Sequence, residues 1–389
     1  MRIFRGASAV CLALQFACGG EPSGTGATGS TGGSGAMGTS SGEVDDTSTG
    51  AGGVVTTGEV VTTGEAVTTG EVVTTGGVET TGAAQTSEGG EATSSGGSSS
   101  TGAEDLGPMV DVSEPQLYEF EFTAKELDAA ATQALGVESA GLDTTVAPLG
   151  RLVVYLHGAG APEVCGAQAH GRVLAGMGFH VVQPCYVSGY GVDKCGDDIG
   201  GCRLEAFEGV DHHDVIDVGP PDSIETRVVR ALEHLQAVHP GGDWQYFLEN
   251  GQPRWGKIVI SGISHGASTS GVIGMVREVD RAVMLSGPLD SGQAWLKGVP
   301  LTAIDRFFGF THTADGQHPG HLQSFADMML PGEPVVVDGA APPYQDSHRL
   351  VTSAATGDGH GSTQAGGVSP KDGDVYVFAP VWRYMYGAP

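Results

Sequence analysis

The segment Gly262-Ile263-Ser264-His265-Gly266 carries the clearest chemistry in this sequence. A serine in G-x-S-x-G spacing is typical of a sharp turn between a strand and a helix, where side chains beside the serine would be too crowded. Such a turn lifts the hydroxyl above the sheet, and the N–H groups of the following helix favour negative charge nearby. The pattern predicts that Ser264 is a catalytic nucleophile.

The elements around this turn predict how it is held. Apolar runs typical of buried strands alternate with helical segments, which predicts an α/β fold with a mostly parallel central sheet flanked by helices. In the helix before the turn, Asp222 and Glu225 resemble a capping box. The expected strands are Arg151–Gly158, Phe179–Pro184, Lys257–Ser261, Arg281–Ser286, Ile304–Thr311 and Arg349–Thr352, and the expected helices are Gln168–Gly178, Pro220–His239, Ala267–Arg277 and His321–Met329.

The order of short motifs along the chain resembles the α/β-hydrolase superfamily. HGAG, GISHG, SGPLD, THTAD and DGHGST follow one another, and together with the segment CRLEAFEG they are similar to a group of exported bacterial α/β-hydrolases. The resemblance covers about Leu149 to the last residue. It implies an α/β-hydrolase fold and a catalytic order of serine, acid and histidine. His265 departs from the residue types that are commoner directly after the serine, but only its backbone N–H is needed to bind the oxyanion.

A serine needs a neutral imidazole to take its proton, and the imidazole needs a carboxylate to fix its tautomer. His360 is the preferred base, because the glycines around it let its loop carry the ring back over the turn. His321 and His348 are its rivals, but one is expected on a helix and the other leads into a strand.

Two carboxylates are candidates for the acid. Asp315 follows the expected strand Ile304–Thr311 and matches the acid position of the resembling group. Asp290, in SGPLD after the preceding strand, is the alternative. Strand order in the superfamily favours Asp315.

Two backbone N–H groups are expected to bind the negative oxygen of the tetrahedral intermediate. One belongs to His265 and the other to the HGAG loop, with Ala159 preferred and Gly160 next. His157 is expected to support this loop by hydrogen bonding.

A long insertion, Tyr186–Val218, separates an expected strand from an expected helix and should line the substrate pocket. Tyr186, Tyr190 and Phe207 are its candidate pocket residues, with core packing as the competing interpretation. The acidic run from Asp211 to Asp217 does not have the spacing of a known metal motif, so we predict no metal and no other cofactor.

The first 18 residues resemble a secretory signal, with Arg2 and Arg5 before a short apolar run and Cys18 as a lipidation site. Cleavage near Ala17 without lipidation is the alternative, and both interpretations export the protein to the cell envelope or the medium. An oxidising compartment favours disulfides among the four remaining cysteines. Three pairings are open. Cys195 with Cys202 is preferred, which leaves Cys165 with Cys185.

Residues 19–105 are expected to be a disordered linker. No Lys or Arg occurs between Glu21 and Val110, and a period of six residues, as in VVTTGE, runs from Gly53 to Gly82. Such a composition buries too little apolar surface to fold. Residues 106–389 are then the hydrolase domain.

The formal net charge of −28 argues against nucleic acid as a partner, and it leaves a lipid at Cys18 as the only expected contact with a membrane. Taken together, the sequence predicts an exported serine hydrolase that cleaves small or polymeric carboxylic esters. A serine peptidase or amidase and a non-catalytic surface-binding lipoprotein are the alternatives.

Overall fold

One mixed sheet organises the protein in the computed structural model, which describes residues 105–389. Strands β3 to β9 run parallel to one another, and β2 is antiparallel to both of its neighbours. In chain order the strands are β1 Leu117–Thr123, β2 Val137–Asp143, β3 Leu152–Leu156, β4 His180–Gln183, β5 Ile258–Ile263, β6 Arg281–Leu285, β7 Phe307–His312, β8 Val335–Val336 and β9 Arg349–Thr352.

The spatial order of the strands is β1-β2-β4-β3-β5-β6-β7-β9-β8. A sheet in this order, with an antiparallel second strand and a sharp serine turn after the fifth strand, is that of an α/β-hydrolase. The protein has the α/β-hydrolase fold. The predicted fold class is therefore confirmed for the described residues.

Successive side chains of a central strand point to opposite faces of the sheet, so the core is divided into two clusters. Leu152, Val154 and Leu156 of β3 belong to one hydrophobic cluster, and Val153 and Tyr155 belong to the other. Helices cover both faces, as expected for parallel strands. They are α1 Ala124–Leu127, α2 Gln168–Ala175, α3 Val192–Cys195, α4 Ile199–Glu208, α5 Ile224–Val238, α6 His265–Val276, α7 His318–Asp327 and α8 Ala379–Tyr386.

Helix α6 occupies the middle of this arrangement. It packs on β5 and β6, and α4 covers its other side. Every residue from His265 to Met275 is consequently buried. Because α6 has no solvent face, it consists of small and apolar residues with no polar stripe.

Several element boundaries differ from those expected. Helix α5 begins after Ser223, whose hydroxyl accepts a hydrogen bond from Thr226 N, so the capping box predicted at Asp222 and Glu225 is wrong. Asp222 instead accepts hydrogen bonds from Thr132 and from the Arg227 side chain. The residues Ile304–Arg306, expected to start a strand, form a 3-10 turn.

Three strands of the sheet, β1, β2 and β8, were not expected, and the insertion 186–218 contains helices α3 and α4. Two small hairpins and several 3-10 turns complete the connections. The hairpins pair Leu248–Glu249 with Gln252–Pro253 and Lys371–Asp372 with Val375–Tyr376.

The expected signal, Cys18 and all of the expected linker except Asp105 lie outside the described residues. Asp105, the last residue of that linker, forms ion pairs with Lys257 at 2.7 Å and Arg254 at 3.1 Å. Within residues 105–389, no helix has both the length and the apolar character needed to cross a bilayer.

Candidate active site

Ser264 lies at the turn between β5 and α6, with φ of 59° and ψ of −120°. Its N–H donates to the carbonyl of Leu285 on the neighbouring strand at 2.9 Å. A Cβ atom at Gly266 would lie 2.2 Å from the carbonyl oxygen of Leu156, so only glycine fits there. The close approach of α6 to β3 therefore requires the glycine of the motif.

His360 and Asp315 form a direct pair at the same edge of the sheet. The distance from His360 Nδ1 to Asp315 Oδ2 is 2.7 Å, and the Asp315 carboxyl is buried while the imidazole remains about one-third exposed. The carboxylate can only accept, so Nδ1 carries the proton and Nε2 keeps a lone pair. A Cβ atom at Gly359 would lie 2.7 Å from Asp315 N, so glycine before His360 allows the two loops to approach.

The backbone connects this pair to the serine turn. Ser286 directly follows Leu285, which accepts the N–H of Ser264, and its hydroxyl donates to the carbonyl of His360 at 2.7 Å. Gln317 N donates to Asp315 Oδ1 at 2.9 Å, which holds the carboxylate from its other oxygen. The loops after β5, β6, β7 and β9 thus fix the candidate nucleophile, acid and base relative to one another.

The two rival histidines are engaged elsewhere. His321 is buried on α7, where its Nδ1 lies 2.8 Å from Thr311 Oγ1 and 3.9 Å from Asp315 Oδ2. Burial lowers its pKa to about 4, so it is neutral at pH 7. His348 lies before β9, at the opposite edge of the sheet from Ser264, and stacks on Phe308.

Asp290 was the alternative acid for His360, but in the structure its partner is Arg203. Its carboxylate forms two hydrogen bonds with Arg203 of α4, at 2.7 and 2.8 Å, and both side chains are buried. Trp295 Nε1 donates to it as well, at 3.0 Å. Because these donors occupy both of its oxygens, the structure places Asp290 in an ion pair with Arg203 and not beside His360.

The loop after β3 lies against the nucleophile. A Cβ atom built on Gly158 would be 3.9 Å from Ser264 Oγ. Gly160 N donates to Ser188 O at 3.4 Å, whereas the N–H groups of Ala159 and His265 have no backbone acceptor within the described residues. These two N–H groups therefore have no backbone partner among those residues, and their binding of an oxyanion stays a prediction.

Buried aromatic side chains support both sources of these N–H groups. The Tyr186 hydroxyl donates to His157 O at 2.8 Å and lies 3.0 Å from His265 Nδ1, while the Tyr190 ring packs edge-on against His265. Burial lowers the pKa of His157 to about 4, and burial together with the nearby Arg203 lowers the pKa of His265. Both imidazoles are neutral at pH 7, so neither of these residues places a side-chain charge beside the two N–H groups.

The candidate pocket residues of the insertion are therefore buried supports in this structure. Tyr186 and Tyr190 are both less than a tenth exposed. Phe207 lies in the main hydrophobic core, between Trp255 and the guanidinium of Arg277, so its assignment to the pocket is wrong.

The four cysteines form the disulfides Cys165–Cys185 and Cys195–Cys202, the pairing preferred from the sequence. His213 lies near the second disulfide, but sulfurs bonded to each other are not thiolate ligands for a metal. In the acidic loop, the backbone N–H groups of His212, His213 and Val218 all donate to the Glu205 carboxylate, which stabilises the loop.

Arg203 is the residue near the site that was missed from the sequence. Besides binding Asp290, its Nη1 donates to the carbonyl of His265 at 3.1 Å and to Thr269 Oγ1 at 3.0 Å. It therefore fixes α4 to the first turn of α6. The only signal was an arginine inside a run of small and apolar residues close to Cys202.

Comparisons with known proteins give distant structural similarity. No family model matches the chain, and neither does any curated protein. Among solved structures, esterase 2 of Thermogutta terrifontis, phosphonylated by cyclosarin, is 14% identical over 72% of this chain and 91% of its own, with a TM-score of 0.32. The fluorophosphonate-binding serine hydrolase FphF of Staphylococcus aureus is 12% identical over 61% and 91%, with a TM-score of 0.32. The S-formylglutathione hydrolase FrmB of the same organism is 11% identical over 61% and 92%, with a TM-score of 0.33.

Proposed function

We propose that this protein is a serine hydrolase that cleaves carboxylic esters through an acyl-enzyme. The observation that carries the proposal is the 2.7 Å pair of His360 and Asp315 at the edge of the sheet where the strained turn presents Ser264. A positive φ at a serine is costly and is kept where function requires it. The chain order of serine, acid and histidine agrees with the α/β-hydrolase arrangement.

In the proposed mechanism, His360 Nε2 takes the proton of Ser264 as its oxygen attacks the ester carbonyl. Asp315 keeps Nδ1 protonated and stabilises the imidazolium that forms. The N–H groups of Ala159 and His265 bind the oxyanion, each contributing about 3–4 kcal/mol in the transition state. His360 then protonates the leaving alcohol, and in a second round it activates the water that releases the acid.

Labelling with a fluorophosphonate tests the nucleophile directly. We expect the purified protein to be labelled at Ser264, and Ser264→Ala to lose both labelling and hydrolysis of p-nitrophenyl acetate. Ser270→Ala is the matched control, because Ser270 lies on the same helix and its hydroxyl has no hydrogen-bond partner among the described residues. Labelling that persists in Ser264→Ala would refute the proposal.

Substrate profiling tests the bond that is cleaved. We expect turnover of p-nitrophenyl acetate and of simple alkyl esters to exceed turnover of matched peptide amides by at least 100-fold. Equal rates would favour a peptidase or amidase, and absence of labelling and turnover would favour a binding protein.

We also propose that the protein is exported and held by a lipid on Cys18. The N-terminal residue pattern is the basis of this proposal, and the two disulfides are consistent with an oxidising compartment. Expression of Cys18→Ser should move the protein from the membrane fraction to the soluble fraction. An unchanged distribution would contradict lipid anchoring at this residue.

A further inference from the structure

A cavity of about 230 Å³ lies next to the candidate acid and has no assigned role. It is formed by the loop after β6 and by the loop and first turn of α7 after β7. Its lining includes Leu289, Ser291, Gly316, Gln317, Gly320 and His321.

The position of the cavity indicates which part of a bound ester it would contact. The oxyanion loop follows β3, on one side of β5, whereas the cavity follows β6 and β7, on the other side. Gln317 is bonded to Asp315, the partner of His360, and Leu289 N donates to Ser268 Oγ in the first turns of α6. Because His360 must protonate the leaving oxygen, the alcohol part of an ester has to lie on the side of the cavity.

The lining is polar and carries no charged side chain. Ser291 and Gln317 are exposed to it and offer a hydroxyl and an amide. Arg203, which is buried, binds both carboxylate oxygens of Asp290, the residue that precedes Ser291. In a chain of net charge −28, such a cavity does not favour an anionic ligand.

His321, one of the lining residues, has a hydrogen-bonding atom without a protein partner in the described part of the chain. The residue is fully buried, and its Nε2 has no hydrogen-bond partner among residues 105–389. Its Nδ1 shares Thr311 Oγ1 with His318, so Nε2 is an acceptor in one tautomer and a donor in the other. A hydroxyl group satisfies either tautomer, because it can donate and accept.

We infer that this cavity binds the hydroxyl-rich alcohol part of the ester, of the size of glycerol or one sugar ring. The inference rests on the proposed function for the side on which the alcohol lies. The volume is below the ~300–1,000 Å³ typical of pockets for larger ligands, which restricts the occupant to a small polyol. Neutral donors and acceptors at Ser291, Gln317 and His321 then select polyol esters over simple alkyl esters.

The experiment compares kcat/KM for glyceryl monoacetate with kcat/KM for ethyl acetate. We expect the wild type to prefer the glyceryl ester by at least tenfold, and Ser291→Ala/Gln317→Leu to reduce this ratio at least fivefold. Ser113→Ala/Gln252→Leu is the matched control, since both residues are exposed and lie away from the cavity. A wild-type ratio near one, or a ratio unchanged in the cavity variant, would overturn the inference.

A binding measurement separates this inference from the proposed function. Saturation-transfer difference NMR should show transfer of saturation to glycerol from the wild type and the control variant, and reduced transfer from Ser291→Ala/Gln317→Leu. This measurement needs no turnover, so it tests the cavity even if neither ester is hydrolysed, a result that would refute the proposed function. Equal transfer from all three proteins, or none from the wild type, would overturn the inference.

Discussion

Asp290 and Asp315 follow neighbouring parallel strands at the same edge of the sheet, and both carboxyl groups are buried. One faces the guanidinium of Arg203 and the other the imidazole of His360. A guanidinium stays protonated, so the first pair is a fixed structural link. An imidazole is a side chain that proteins use as a general acid or base, so the second pair is the one that we propose for acid–base chemistry.

For these two carboxylates, the side chain that each one contacts differs, whereas their positions in the strand order are equivalent. The contact, and not the position, therefore distinguishes them. The sequence offered both residues as the acid, at equivalent positions after consecutive strands. What separates them is the α4 arginine, which reaches Asp290 across 87 positions of sequence. Two predictions test this difference and two more test the buried histidines and tyrosines, beginning with the largest expected effect.

Asp315→Asn should reduce kcat by about 10⁴-fold, because an amide can donate to Nδ1 and hold the imidazole in the wrong tautomer. Asp290→Asn should reduce kcat by less than tenfold when measured well below its melting temperature. Steady-state hydrolysis of p-nitrophenyl acetate by both variants checks the prediction. The reverse ranking would assign the acid to Asp290.

Arg203→Met should lower the free energy of unfolding by about 3–5 kcal/mol, because it leaves the Asp290 carboxylate buried without its cation. Arg203→Met/Asp290→Leu should recover part of this loss, since no unpaired charge then remains. Urea denaturation of the single and double variants measures both effects. A double variant as unstable as Arg203→Met alone would contradict a buried-charge penalty.

Acid should destabilise the protein through histidines that, unlike His360, are buried. Burial lowers the pKa of His157 and His180 to about 4 and that of His170 to about 3. In the unfolded chain these groups bind protons below about pH 6.5, so the stability they contribute is present above that pH and is lost as pH falls from 6.5 through 4.

The melting temperature should therefore fall by several degrees between pH 6.5 and 4.5. His170→Gln should flatten this slope, because the variant lacks one of the fully buried imidazoles. Differential scanning fluorimetry over this pH range checks the prediction. Parallel slopes for the wild type and the variant would exclude His170 as a contributor.

The smallest expected effect is a difference in stability between variants of Tyr186 and Tyr190, which both pack against His265. Tyr186→Phe removes the hydrogen bond to His157 O and should cost about 1 kcal/mol of stability. Tyr190→Phe should be neutral within about 0.5 kcal/mol, because the Tyr190 hydroxyl has no hydrogen-bond partner in the described part of the chain. Chemical denaturation of the two variants makes the comparison, and equal losses would contradict it.

The central sheet could be predicted from sequence because parallel strands buried on both faces are continuous apolar runs. The strands that were missed do not have this pattern. β2 carries Glu138 at its buried start, and Glu138 is accommodated only because Arg227 of α5 lies 3.2 Å away. β1 is an edge strand with alternating exposure, and β8 has only two residues. Such strands depend on their neighbours in space.

The same distinction, between local sequence patterns and contacts that are distant in the sequence, applies to the site. Ser264 could be identified because the turn imposes a local pattern of glycines. The partners of Asp290 and Asp222 could not be read from spacing, because each of these carboxylates binds residues that are distant in the sequence. The pair of Asp315 with His360 was expected from the resemblance and the strand order. Asp222 is a residue type that is typical of helix caps, but its carboxylate accepts hydrogen bonds from Thr132 and Gln133, about 90 positions away. The adjacent Ser223 caps the helix in its place.

The complete burial of α6 has a consequence for how the protein loses activity. A helix without a solvent face cannot detach locally, so its amide protons should exchange with solvent only when the whole domain opens. Ser264 begins this helix, and its own N–H is bonded to Leu285. The serine turn should therefore keep its shape for as long as the domain stays folded. On heating, loss of activity and global unfolding should then follow a single time course.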